Sequence, residues 1–229
     1  TRKTMSPRRA SRKSTSGSID ANILTLKFMA MHMKVGVLAL QGDVSEHVAA
    51  LKSALIQSSI KGCVVQVRRP SELECLEGLL MPGGESTTIA KQLDRFGLRK
   101  PIIEMAGSGI PVMGTCAGCI LLSSEILDQG IRPVEPLGLM DISVRRNAWG
   151  RQVESFEMPL KIQGLDSEFH GIFIRAPRIE RIGAEVESLA QVEKEHVMVR
   201  QKNILGLTFH PELSHDPRVH ALFLGMLKP

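Results

Sequence analysis

Cysteine is scarce in this chain of 229 residues, with only four. So few cannot staple a fold of this size, and their spacing matches no zinc pattern. No run of about 18 apolar residues is present, so no membrane-spanning helix is expected. There is no Gly-x-Gly-x-x-Gly, and no Lys-Ser/Thr follows a glycine loop, which argues against dinucleotide and phosphate loops. His-Glu-x-x-His is missing too, and no internal repeat is visible. What is present is ordinary for a globular domain: 43% hydrophobic and 23% charged residues. That composition excludes a wholly disordered chain, and the length is ample for a core.

The formal charge of +5 is unevenly spread. Residues 1–32 hold seven basic side chains (Arg2, Lys3, Arg8, Arg9, Arg12, Lys13 and Lys27) against Asp20, a net of +6. The other 197 residues carry 22 basic and 23 acidic groups, a net of −1. Thr1–Ser18 is rich in Ser, Thr and Arg and cannot bury enough surface to offset the entropy of ordering. Residues 1–32 therefore read as a basic, disordered extension. An added or misassigned start, a transit-type or interaction tail, and a nucleic-acid arm compete to explain it. No aromatic residues interleave its charges, which disfavours nucleic acid. The working domain is expected at residues 33–229, starting at Met33.

From Lys34 onward, short apolar runs alternate with helical spacing. Strands are expected at Val35–Leu40, Cys63–Val67, Gly78–Met81 and Pro111–Thr115. Helices are expected at Val44–Ile56, Glu85–Phe96, Leu98–Ala106 and from Cys116 to Glu125. This order implies an α/β fold with a mainly parallel sheet covered by helices on both faces. Beyond Asp128, strand-like segments crowd together: Gly138–Val144, Ser155–Ile162, Gly171–Arg175, Glu185–Val192, Val197–Arg200 and Ile204–Phe209. An added antiparallel portion is expected there, then a helix over Asp216–Leu227. In open sheets of this kind, chemistry gathers at the carboxyl ends of the strands.

Gly114-Thr-Cys116-Ala-Gly118 has the form of a strand–turn–helix elbow. The sharp turn requires small neighbours, and it lifts Sγ to the top of the sheet at a helix N-terminus, where thiolate is favoured. The competing reading is a buried structural cysteine between two turn glycines. Cys63, Cys75 and Cys119 read as structural. A thiolate nucleophile needs a base and an orienting group. His210 ends an apolar strand, and Glu212 stands two residues on, on the same side of an extended chain. Glu212 can thus hold one imidazole nitrogen and leave the other for Cys116. A metal set of His210, Glu212 and His215 is disfavoured, because Pro211 opposes a helix. The remaining histidines, His47 and His220 among them, have no comparable context.

Pro82-Gly83-Gly84-Glu85-Ser86 follows a strand and opens a helix. Adjacent glycines can turn N–H groups into a cavity to stabilise an oxyanion, and the N–H of Ala117 is a natural second donor. A plain tight turn with a helix cap is the alternative. Arg146 and Arg175 lie in or beside apolar strands. Each either pairs with an acid of the protein or clamps a substrate carboxylate.

Together, Pro82-Gly-Gly-Glu-Ser-Thr-Thr88, Gly114-Thr-Cys-Ala-Gly118 and His210-Pro-Glu212 resemble the class I, triad-type glutamine amidotransferases. Leu40-Gln-Gly-Asp43 with Glu46-His47, Arg146-Asn-Ala-Trp-Gly-Arg-Gln-Val153 and Phe173-Ile-Arg-Ala-Pro177 are similar to the glutaminase subunits of pyridoxal 5'-phosphate synthases within that family. The resemblance runs from Met33 to the C-terminus. One small departure is Ala148-Trp149, where a Ser-Phe pair is common.

The resemblance implies the flavodoxin-like class I fold and a Cys116–His210–Glu212 triad that hydrolyses L-glutamine through a thioester. It implies glutamine binding by Gly84, Glu85, Ser86, Arg146, Ile174 and Arg175. It also implies an oxyanion and activation region of Gly83, Gly84, Ala117 and Gln41, with neither cofactor nor metal. The implied partner is a barrel-shaped synthase subunit that receives the ammonia, in an assembly of twelve of each subunit, in the cytoplasm. No nucleic acid or membrane is implied. A glutaminase serving imidazole glycerol phosphate synthase is the alternative.

Overall fold

The computed structural model describes residues 32–128, 133–146 and 155–227. The expectations for residues 1–31 and for the Asn147–Val153 motif lie outside the described residues. Met33–Pro229 separates as one compact unit.

The first half of that unit alternates strand and helix. It runs β1 (Met33–Leu38), α1 (Val44–Gln57), β2 (Gly62–Val67), β3 (Gly78–Met81), α2 (Ser86–Arg95), α3 (Arg99–Gly107), β4 (Val112–Thr115) and α4 (Ala117–Leu122). The second half is strand-rich: β5 (Ser123–Ile126), β6 (Met140–Arg145), β7 (Ser155–Leu160), β8 (Phe169–Ile174), β9 (Arg178–Ile182), β10 (Glu187–Val192), β11 (Glu195–Gln201) and β12 (Ile204–Leu207). Helix α5 (Arg218–Leu224) follows.

The main sheet has the order β2-β1-β3-β4-β12-β11-β9-β6-β5, with β10 added beside β11. Its first five strands are parallel and follow the flavodoxin-type order. The pairings of β11 with β12, β9 and β10, and of β6 with β9, are antiparallel. A separate hairpin of β7 and β8 lies off this sheet.

Alternation along the strands builds two cores. Leu79 and Met81 of β3 pack with Ile89 and Leu93 of α2 and Ile102 of α3 on one face. Val35, Val37 and Leu80 pack with Leu51 of α1 and Val219 and Phe223 of α5 on the other. Burial of the parallel strands on both faces explains their continuous apolar sequences. No described helix is long and apolar enough to cross a membrane.

Two strands differ from the sequence expectation. The helix after Cys116 ends at Leu122 rather than Glu125, and Ser123–Ile126 leaves it to pair in parallel with β6. Ser123 Oγ–H donates to the Ile120 carbonyl at this end. Strand β9 has the charged sequence Arg-Ile-Glu-Arg-Ile and carried no strand signal. Its charges are matched across neighbouring strands: Arg178 to Glu195, Glu180 to Arg145 and Arg181 to Asp141. Cross-strand ion pairs of this kind substitute for apolar alternation.

Candidate active site

The carboxyl ends of β1, β3 and β4, with the turn after β12, surround a cavity of about 470 Å³. It is lined by Gln41, Gly42, Asp43, Gly84, Glu85, Ser86, Cys116, Ile120, Arg146, Ile174, Arg175, His210 and Leu213.

Cys116 sits between β4 and α4 with φ 48° and ψ −105°, a conformation that L side chains avoid. Close packing imposes it. A Cβ on Gly114 would lie 2.6 Å from the backbone carbon of Gly118, and one on Gly118 would strike the Met81 carbonyl. The Cys116 N–H is tied to the Leu207 carbonyl at 2.8 Å. The thiol, almost buried, faces the Ile174 carbonyl with Sγ at 3.9 Å.

His210 enters from the other side, its N–H held by the Ile172 carbonyl at 2.8 Å. Its Nδ1 lies 2.7 Å from Glu212 Oε1. The pairing was expected from extended chain, in which alternate residues share a side. The structure makes it differently: Pro211–Leu213 is a turn of 3₁₀ helix that folds Glu212 back beneath the ring. Pro211 suits that first position because its missing N–H would have had no partner.

Asp43, which sequence reasoning did not single out as a site residue, places Oδ2 3.4 Å from the same Nδ1. Burial alone would push the His210 imidazolium down. Its contacts with Asp43, Cys116 and Glu212 outweigh that and push it up to about 12. Asp43 is lowered, chiefly by its hydrogen bond with His210. Burial pushes Glu212 up, and His210 works against it.

The glycine loop closes the site beneath the ring. A Cβ on Gly83 would lie 2.7 Å from His210 Cε1, so the loop backbone packs directly against the imidazole. The Gln41 carboxamide oxygen accepts the Glu85 N–H at 2.7 Å, which ties the first βα loop to the glycine loop. Ala117 is the first residue of α4, directly after the thiol.

Across the mouth, Arg175 Nη2 lies 3.6 Å from Glu85 Oε1, both largely exposed. Arg175 also has φ 43° and breaks from β8 there, rather than continuing the strand as expected. Arg146 Nε–H donates to the Asp128 carbonyl at 3.0 Å.

Every residue expected in the triad, the substrate set and the oxyanion region thus falls in or against one cavity. Glu212 stands behind His210, and Gly83 lies under its ring. Of the residues read as structural, Cys119 is buried within α4, whereas Cys63 and Cys75 are exposed. His215 does not join His210 and Glu212. Among the described residues, Asp43, His210 and Glu212 are the one group of three metal-ligand side chains whose ligand atoms lie close together. The 2.7 Å spacing of His210 and Glu212 is that of a hydrogen bond. No signal in the sequence marked Asp43 or His47 as part of the site beyond their place in the Leu40–His47 motif.

Comparison with known proteins places these features in company. The SNO glutamine amidotransferase family matches residues 37–228. The chain is 50% identical over 194 residues to pyridoxal 5'-phosphate synthase subunit PdxT of Pyrococcus horikoshii, spanning 84% of this chain and 98% of that protein. It is 52% identical over 195 residues to the protein of the same name from Mycobacteroides abscessus, spanning 85% and 97%. A solved structure described as a glutamine amidotransferase superposes with a TM-score of 0.75 at 46% identity, over 84% of this chain and 97% of that one.

Proposed function

The chain belongs to the SNO glutamine amidotransferase family, and from that we propose that it hydrolyses L-glutamine to L-glutamate and ammonia as the glutaminase subunit of a pyridoxal 5'-phosphate synthase. The observation that carries the chemistry is the hydrogen-bonded His210–Glu212 pair beside a cysteine held in a strained elbow.

In this reading the Cys116 proton rests on His210 as an imidazolium, and the thiolate attacks the side-chain amide carbon of glutamine. The carbonyl electrons move to oxygen. The N–H groups of Gly84 and Ala117 are the donors proposed for that oxyanion, each worth about 3 kcal/mol of barrier. Collapse breaks the C–N bond. His210 delivers its proton to the leaving nitrogen, ammonia departs and a γ-glutamyl thioester remains. His210 then takes a proton from water as it attacks the thioester carbon. Collapse of the second tetrahedral species breaks the C–S bond, returns the thiolate beside the His210 imidazolium and releases glutamate, whose new carboxyl proton goes to solvent. Glu212 fixes the ring so that Nε2 faces sulfur.

Gly84, Glu85, Ser86, Arg146, Ile174 and Arg175 hold the substrate, with Arg175 and Arg146 available to its α-carboxylate. Gln41, which accepts the Glu85 N–H and packs against Gly84, couples the first loop to the glycine loop and so to activation. The ammonia passes to a separate synthase subunit, and the assembly is one of twelve of each. Residues 1–32 stand outside the chemistry. Four free cysteines, one of them the nucleophile, suit a reducing cytoplasm. The names of the relatives favour this synthase over imidazole glycerol phosphate synthase.

The test is ammonia release from glutamine by the chain alone and mixed with a synthase subunit. Release that rises on mixing supports both chemistry and partner. No release in either case removes the reading.

A further inference from the structure

Behind the triad, a row of buried polar groups is unused by the mechanism. His47 of α1 is fully buried, and so is His220 of α5. His47 Nε2 lies 3.2 Å from Glu212 Oε2 and 3.0 Å from Thr115 Oγ1. His47 Nδ1 lies 3.1 Å from His220 Nε2. The row ends there: His220 Nδ1 is buried and has no hydrogen-bond partner among the described residues.

That dead end sets the direction of every bond in the row. A buried N–H without an acceptor is rarer and costlier than a bare acceptor nitrogen. His220 therefore keeps its proton on Nε2 and donates it to His47 Nδ1. His47 must then carry its own proton on Nε2, where Glu212 Oε2 and Thr115 Oγ1 are in reach. The opposite order would put a bare His47 nitrogen against a carboxylate oxygen and leave a buried His220 N–H unmatched. Burial also keeps both rings neutral, so no charge is buried beside Glu212. Oε2 has no hydrogen-bond partner among the described residues; His47 Nε2, hydrogen-bonded with Thr115 Oγ1, lies 3.2 Å from it.

We propose that His47 is a positioning residue for the reaction: its ring, oriented by His220 and Thr115, sets Nε2 against Oε2 of Glu212 at 3.2 Å and so keeps Oε1 on His210. The proposal deepens the glutaminase reading and rests on it. It assigns a purpose to two buried histidines drawn from α1 and α5, helices that otherwise contribute packing.

The test compares His47→Leu, which removes the donor, with His47→Gln, whose amide nitrogen can take the place of Nε2. Two quantities are read: kcat and KM for glutamine with the synthase subunit present, and the pH profile of Cys116 alkylation by iodoacetamide. His47→Leu is expected to lower kcat by about ten- to a hundred-fold with little change in KM. It is also expected to move the alkylation profile to higher pH, because the imidazolium that supports the thiolate is less well held. His47→Gln should restore most of both. A folded His47→Leu with wild-type kcat and a wild-type alkylation profile overturns the proposal. So does a His47→Gln as impaired as His47→Leu. Should His47→Leu not fold, His220→Leu keeps His47 but frees its tautomer, and an unchanged alkylation profile there overturns it equally. A wild-type chain that releases no ammonia defeats the glutaminase reading instead, and the alkylation profiles still decide whether His47 acts on the His210 pair.

Discussion

Gly42 and Gly83 lie in contact, with the Gly83 carbonyl oxygen so close to Gly42 that a Cβ there would overlap it. Gly42 also has φ +103°, a conformation that L side chains rarely adopt. The first βα loop and the glycine loop are thus seated on each other, and any side chain on Gly42 must push Gly83 and Gly84 away. Gly42→Ala is expected to cost about 1–3 kcal/mol of stability. It should also lower kcat more than it raises KM, because the loop proposed to hold the oxyanion moves. Denaturant midpoints and steady-state kinetics check both parts.

Cys116 stores backbone strain that only glycine would relieve. Cys116→Gly is expected to be more stable than Cys116→Ala by about 1 kcal/mol or more, with both inactive. Equal denaturant midpoints for the two variants would show that the elbow is not strained.

Burial of His220 makes it a source of acid lability. Its pKa is pushed down to about 4 by desolvation. With the folded value depressed, the unfolded chain takes up the proton first. Stability is therefore full above about pH 6.5 and is lost as pH falls from there toward 4. At pH 5 the loss from this one residue is about 2 kcal/mol. His47 acts in the same direction, whereas His210, raised to about 12, acts against it: its contribution is full below about pH 6.5 and is lost as pH rises from there toward 12. Unfolding measured at pH 7.5 and 5 should show a smaller difference in His220→Gln than in wild type.

Arg175 lies at the mouth with Glu85 in reach. If it clamps the substrate carboxylate, Arg175→Lys loses the planar fork and raises KM for glutamine by about ten-fold, with kcat less affected. Unchanged KM would return Arg175 to a purely structural partner of Glu85.

These predictions differ in how far the sequence alone supported them. Cys116, His210 and Glu212 were legible because each stands in a short local pattern at a strand end. The parallel half of the sheet was legible because strands buried on both faces are continuously apolar. Strand β9 was not, since ion pairs with Arg145, Asp141 and Glu195 replace apolar alternation. Nor were Asp43, His47 and His220 legible as a group. Only the sheet order β2-β1-β3-β4-β12 brings the loop after β1 beside the turn after β12. A lone histidine on an amphipathic helix gives no sign of what it will face.

The central claim is that Cys116 Sγ is the nucleophile that takes up the glutamine-derived acyl group as a thioester. Its most direct test is labelling by a diazoketone analogue of glutamine, followed by peptide mass mapping of the wild-type chain and of His210→Asn. One adduct is expected, on Cys116 and not Cys119, prevented by excess glutamine and nearly lost in His210→Asn. An adduct on another residue, or labelling of Cys116 that glutamine does not slow, would contradict it.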